Sequence, residues 1–157
     1  MQKYKVLILI SLTIVILDQL TKAVIANYLI LHQSIEIIGG FFNITYIRNP
    51  GAAFGLFHDS GEVFRTIFLI GVSIVALGAI FFVYRRVKAN LPACIALSLI
   101  AGGAIGNLVD RIRFGEVTDF LDFYIGQYHW PAFNVADSAI TIGVFLAIFF
   151  FKESKGN

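Results

Sequence analysis

The chain has 157 residues, the length of one domain, of which 58% are hydrophobic and 14% charged, and its mean hydropathy is +0.82. Soluble domains carry about 25% charged residues, so this composition excludes a disordered chain, a coiled coil and an ordinary water-soluble enzyme, and points to a polytopic membrane protein. The net charge of +2 is too small to imply a nucleic-acid partner, and the single Cys94 excludes an internal disulfide or a Cys-paired zinc or redox site.

The first apolar run extends from Val6 to about Leu31 and is interrupted by Asp18 and Lys22. Lys3 and Lys5 ahead of it imitate a secretory signal, but Asp18-Gln19-Leu20-Thr21-Lys22 stands where small residues would mark a cleavage site, so a retained first helix is predicted. In the following loop, Ile35–Ile38, a Gly39-Gly40 turn and Phe41–Ile47 read as a hairpin, and Asn49-Pro50-Gly51 as a turn. Asp59-Ser60-Gly61-Glu62 has the spacing of a capping box ahead of a second run, Val63–Tyr84. Asn90-Leu91-Pro92 opens a third, Leu91 to about Val109. The loop over 111–134 carries an amphipathic piece, Val117–Tyr124; if it is extended, Asp119 and Asp122 point to opposite faces, one to water and one to the bundle. Phe114, Phe120, Phe123, Tyr124, Tyr128, Trp130 and Phe133 read as an interfacial aromatic belt. The fourth run, Ser138–Phe151, reaches the roughly 20 residues of a span only if it begins near Asn134.

The expected fold is an all-α membrane protein, one domain over 1–157. It has four transmembrane helices at about 6–31, 63–84, 91–109 and 134–151, with a small extracytoplasmic β-sheet and an interfacial loop. Lys3, Lys5, Arg85, Arg86, Lys88, Lys152 and Lys155 all fall on one side, which by the positive-inside rule is the cytoplasm, so both termini are expected there.

At a rise of about 1.5 Å per residue, Asp18 lies about 18 Å above the cytoplasmic boundary, and Lys22 and Asn107 about 24 Å. Asp110 and Arg111 end the third span, and Asn134 and Asp137 open the fourth. Polar groups from three helices thus converge at the outer boundary, where buried ionisable residues are costly and usually functional. Each also has a structural reading. Asp18 and Lys22 can pair at i, i+4, Asp110 can pair with Arg113 at i, i+3, and Asp137 suits a helix N-terminus.

His32, His58 and His129 have no zinc-protease spacing, Cys94 lies far from the polar layer, and no serine near the depth of Lys22 has a supporting motif. Gly102 and Gly106 form a small-xxx-small pattern for close helix packing. The remaining chemistry is a carboxylate pair sharing one proton, able to hydrolyse a peptide without metal or cofactor. Asp137 with Asp110, Asp119 or Asp122 fits that requirement, and the residues alone leave the choice open.

Five segments, in order and over almost the whole chain, resemble the motifs of the lipoprotein signal peptidase (signal peptidase II) family. They are Asp18–Lys22, Arg48–Gly55, Gly106–Arg111, Val117–Phe120 and Phe133–Ser138. The resemblance implies an aspartic protease of the bacterial inner membrane, with its active site at the outer-leaflet interface, that cleaves the signal peptide of lipid-modified prolipoproteins before the diacylglyceryl-cysteine. It implies Asp119 and Asp137 as the catalytic pair, Asp110 as a supporting residue, and Asn49, Asn107, Arg111 and Asn134 as site-lining or structural residues. Asp18 and Lys22 match the first motif, in a structural role. No cofactor, no metal and a monomer are expected, with the prolipoprotein and membrane lipid as partners. The rival readings are a small transporter, which should show polar residues across the whole bilayer, and a non-catalytic membrane scaffold.

Overall fold

The computed structural model describes residues 2–51, 61–87 and 90–153, with side chains through residue 150. The elements run α1 (Gln2–Tyr28), β1 (Ser34–Ile38), β2 (Phe42–Asn49), α2 (Glu62–Arg86), α3 (Leu91–Phe114), β3 (Val117–Ile125), β4 (Tyr128–His129) and α4 (Val135–Glu153). Three helices, α1, α2 and α3, are long and apolar enough to cross a membrane, and α4 carries a shorter apolar stretch, Val135–Phe150. In hydrocarbon only a helix satisfies its backbone groups within one segment, which is why continuous apolarity reads so directly as helix here.

α3 is the centre of the bundle and packs against α1, α4 and α2. Glycine permits that closeness. A Cβ on Gly102 would lie 2.9 Å from the Ile14 Cβ of α1, and one on Gly103 would lie 2.3 Å from the Ala136 carbonyl oxygen of α4. The expected small-residue packing is therefore present, and it includes Gly103. α2 leans on α3 and is otherwise exposed along its apolar face, Tyr84 being its one buried residue among those described. Lys3 ties the start of α1 to the end of α2. Its ammonium donates to the carbonyls of Tyr84, Arg85 and Val87 at 3.3, 3.2 and 3.0 Å, satisfying acceptors that a helix end leaves open.

The strands form one antiparallel sheet in the order β1-β2-β3-β4. Gly40, at φ 73°, makes the β1–β2 turn, and its N–H donates to the Glu36 carboxylate at 3.0 Å. Between the pairs Ile44↔Leu121 and Ile47↔Asp119, β2 has one residue more than β3. This bulge twists the strand and leaves Asn49 at the end of β2, opposite Val117.

Several expectations shift. α1 ends at Tyr28, short of Leu31. α3 runs to Phe114, five residues past Val109, and stops at Gly115 in the left-handed conformation. α2 begins at Glu62 after Gly61, which makes no side-chain cap, so Glu62 is the first helical residue and not the third; Asp59 and Ser60 lie outside the described residues. Phe120 is 5% exposed and belongs to the interior, because both faces of β3 are covered over Val117–Phe120, whereas Tyr128 and Trp130 stand out at 86% and 69%.

Candidate active site

Two layers of polar side chains fill the space where α1, α3, α4 and β3 meet. The lower layer is built on Lys22 of α1. Its ammonium contacts Asp18 Oδ2 at 2.9 Å and Asp110 Oδ2 at 3.1 Å, and donates to Asn107 Oδ1 at 3.0 Å. All four residues are buried. Charges this dry persist only where every lone pair and proton has a partner. Asp18 Oδ1 accepts the Ala136 N–H of the first turn of α4 at 3.0 Å, Asp110 Oδ2 accepts the Thr118 N–H of β3 at 3.0 Å, and Gln19 donates to Asp110 Oδ1 at 2.9 Å. The network therefore fixes α4 and β3 against α1 and α3.

The upper layer carries Asp119 and Asp137. β3 turns Asp119 inward, where it is 1% exposed. Asp137 lies in the first turn of α4, capped reciprocally by Asn134. Asn134 Oδ1 accepts the Asp137 N–H at 2.9 Å, and Asp137 Oδ2 faces the Asn134 N–H at 3.3 Å. The same Asn134 donates through Nδ2 to Asp119 Oδ1 at 2.7 Å, so one side-chain amide links the Asp119 carboxylate to the Asp137 backbone. The remaining oxygens are also held. Asn49 donates to Asp119 Oδ2 at 2.8 Å, and Asn107 donates to Asp137 Oδ1 at 2.7 Å. Asn49 is itself fixed by the Gly51 N–H, donated to its Oδ1 at 2.8 Å within the expected turn.

Burial pushes the Asp119 carboxyl up to about 6; the Asn49 amide opposes this, the negative charge of Asp137 adds to it, and Asn134 and Lys22 oppose it. A carboxyl held part-protonated beside a second carboxylate is equipped for proton exchange.

The structure thus brings together Asp18, Lys22, Asn49, Asn107, Asp110, Asp119, Asn134 and Asp137. Arg111 sits on the last turn of α3, where its charge interacts with those of Asp137, Asp119 and Asp110. Asp110 does not pair with Arg113 as its i, i+3 spacing suggests. Its ion pair is with Lys22, because the buried face of α3 turns the carboxylate toward α1 while Arg113 lies over the Phe114 ring. Asp122 does take the opposite strand face from Asp119, yet it is only 8% exposed, held by Asn43 at 2.9 Å and His129 at 2.8 Å. His129 Nδ1 thus lies within hydrogen-bond distance of the Asp122 carboxylate, across the β3–β4 turn. Sequence reasoning missed Gln19 as a bridge to Asp110; a glutamine inside an apolar span was the available signal. Among the described residues no three His, Cys, Asp or Glu side chains gather as a metal-binding group.

Apolar helices long enough to cross a membrane, with carboxylates and amides gathered where they meet a small sheet, fit a membrane protein. The Signal peptidase (SPase) II family model matches residues 10–152, and the chain belongs to that family. It is 52% identical to a lipoprotein signal peptidase of Syntrophus aciditrophicus, over 99% of this chain and 98% of that protein. It is 54% identical to one of Desulforapulum autotrophicum, over 91% and 89%. Two solved structures described as bacterial membrane enzymes superpose with TM-scores of 0.80 and 0.81 at 42% and 39% identity. They cover 92% and 95% of this chain and 91% and 88% of theirs.

Proposed function

We propose that this protein removes signal peptides from lipid-modified prolipoproteins, as an aspartic endopeptidase in which Asp119 and Asp137 act as the catalytic pair. The observation that carries this reading is the Asn134 side chain, whose amide donates to the Asp119 carboxylate and accepts the backbone N–H of Asp137, so that two acids from different elements are anchored to one residue. The raised Asp119 carboxyl, at about 6, supports its role as the proton-bearing partner.

The chain is read as one domain with four membrane spans, both termini in the cytoplasm and the sheet on the outer face of the inner membrane. The basic residues Lys3, Lys5, Arg85, Arg86 and Lys88 support that orientation. The scissile bond of a diacylglyceryl-anchored precursor is held at headgroup level by its acyl chains and signal helix, which is the depth of the polar layer. The buried polar side chains below that layer, Ser11 and Ser98, bond to helix backbone carbonyls, so a transport path across the inner half lacks support.

In the proposed reaction Asp119 donates a hydrogen bond to the carbonyl oxygen preceding the modified cysteine. Ionised Asp137 takes a proton from water as the water oxygen attacks the carbonyl carbon. As Asp119 passes its proton to the carbonyl oxygen a tetrahedral diol forms; it collapses as the C–N bond breaks, the proton held by Asp137 passes to the departing nitrogen, one diol hydroxyl returns its proton to Asp119, and the new carboxyl releases its remaining proton to solvent. The products are a signal peptide with a new carboxylate and a lipoprotein with a free cysteine amine. The reaction needs no cofactor, and a single copy of the chain supplies both acids. Asn107, Asn134 and Asn49 position the carboxyls, while Lys22, Asp18 and Asp110 keep the elements that carry them in place; Arg111 adds positive charge beside the site.

The test is cleavage of a lipidated and an unlipidated precursor by the purified protein and by Asp119→Asn and Asp137→Asn variants. Release of signal peptide from the lipidated precursor, lost in both folded variants, is expected. Retained turnover in either variant removes that residue from the pair.

A further inference from the structure

On the side of α3 away from α4, the bundle is open. α1 and α2 meet around Lys3 and Tyr84, but among the described residues they make no close backbone approach. Over α3 the gap is an apolar cavity of about 390 Å³, lined by Ile8, Leu12 and Val15 of α1, Leu77 and Phe81 of α2 and Ile105 of α3. One helical turn above Val15, the same row of α1 enters a second cavity of about 180 Å³, at Gln19 and Lys22. Arg48, Asp110, Arg113 and Phe114 line it as well.

The charges in that upper cavity are unequal in their partners. Lys22 is matched by Asp18 and Asp110. Arg48 and Arg113 have no ion pair among the described residues. Both guanidinium groups lie over the Phe114 ring, at 4.3 and 4.9 Å from its centroid. Arg48 Nε donates to the Tyr46 hydroxyl at 3.1 Å, but Arg48 Nη1 is buried with no hydrogen-bond partner among the described residues. Such an atom is costly to leave unsatisfied, and an anionic oxygen beside it removes that cost. Along α1, the apolar cavity lies about 10 to 20 Å from Lys22, so an acyl chain that hangs through half of a roughly 30 Å hydrocarbon core reaches it.

We propose that the two cavities along α1, the lower one between α1 and α2 and the upper one between α1, β2 and the end of α3, bind a glycerophospholipid, with its phosphodiester at Arg48 and Arg113 and an acyl chain in the apolar cavity. A phosphodiester matches the planar guanidinium in geometry and supplies the missing acceptor and counter-charge. The proposal rests on the membrane orientation given above and not on the aspartate pair.

The purified full chain, stripped of lipid in detergent, is incubated separately with phosphatidylglycerol, with diacylglycerol of the same chains and with glycerol phosphate, and retained ligand is read by native mass spectrometry. Phosphatidylglycerol should be retained at least about tenfold more than diacylglycerol, the size of effect expected of a charged hydrogen bond. That preference should fall toward parity in Arg48→Gln and in Arg113→Gln, the second serving if the first does not fold. Leu12→Trp, which fills the apolar cavity, should reduce retention of both lipids. Equal retention by the unaltered protein, a preference that survives both arginine variants, or glycerol phosphate bound as tightly as the lipid overturns the proposal. Precursor cleavage measured on the same preparation separates this site from the catalytic reading: cleavage without lipid preference sinks only the groove.

Discussion

Asn134 and Asp119 lie 15 residues apart in sequence and 2.7 Å apart as amide nitrogen and carboxylate oxygen. The amide that makes this contact belongs to the residue that caps α4, so the helix start and the acid on β3 are set by one side chain. Asn134→Asp separates the two tasks. An aspartate still caps a helix, so stability should change by no more than about 1 kcal/mol from the cap itself. It no longer donates to Asp119 and adds a third negative charge. Cleavage should fall at least about 100-fold, the lower range for loss of acid–base function. Parallel thermal unfolding and precursor-cleavage assays check this, and an active Asn134→Asp protein would remove the bridge from the mechanism.

Asp119 makes stability depend on pH in a defined direction. Its carboxyl is raised from 3.8 to about 6 in the folded chain, chiefly by burial. Below the unfolded value both states hold the proton and the residue is neutral to stability. As pH rises from about 3.8 to about 6 the unfolded state releases it first, so stability is lost through that window. The loss is of order 3 kcal/mol, at about 1.4 kcal/mol for each pH unit. Asp119→Asn should therefore be more stable than the unaltered chain at pH 7, with the gap closing by pH 4. Denaturant midpoints at the two pH values give the difference directly.

The same carboxyl should shape the rate profile. If Asp119 acts protonated, kcat/KM should decline on the basic side as its proton is lost, with the apparent value belonging to the coupled pair. A profile flat from pH 5 to 8 would assign the proton elsewhere.

Lys22 is the counter-charge for two buried acids, and this predicts an ordering of variants. Lys22→Met leaves Asp18 and Asp110 without their ion pair and should cost about 3 to 5 kcal/mol. Asp110→Asn keeps an acceptor for the Thr118 N–H or Gln19 and leaves Lys22 with Asp18, so its cost should be smaller. Chemical unfolding in detergent ranks them, and equal stability of Lys22→Met with the unaltered chain would contradict the network.

Glycine positions should divide sharply. At Gly103 a Cβ would meet the backbone oxygen of Ala136 at 2.3 Å, while at Gly78 nothing lies within 4 Å. Gly103→Ala should destabilise by at least about 1 to 3 kcal/mol, since backbone cannot yield as a side-chain tip can. It should also displace the start of α4, and with it Asp137, so cleavage should fall with stability. Gly78→Ala should be neutral or slightly stabilising, as expected of alanine in a helix. Unfolding midpoints together with activity distinguish the two.

The sequence by itself determined the helices, their order and the hairpin between the first two. Hydrocarbon leaves the backbone one economical local solution, so apolar run length translates into helix with little ambiguity. The five ordered motifs marked the family as well. The partners of the acids were decided only by tertiary structure. Asp110, Asp119 and Asp122 were equivalent candidates beside Asp137 when read along the chain. In three dimensions Asp110 goes to Lys22, Asp122 to His129 and Asn43, and Asp119 to the Asn134 amide. The reason is that a carboxylate's partner depends on the crossing of α3 over α1, on the β2 bulge and on which face of β3 turns inward. These are set by packing between distant segments, and the local pattern that suggested an Asp110–Arg113 pair carries no information about them.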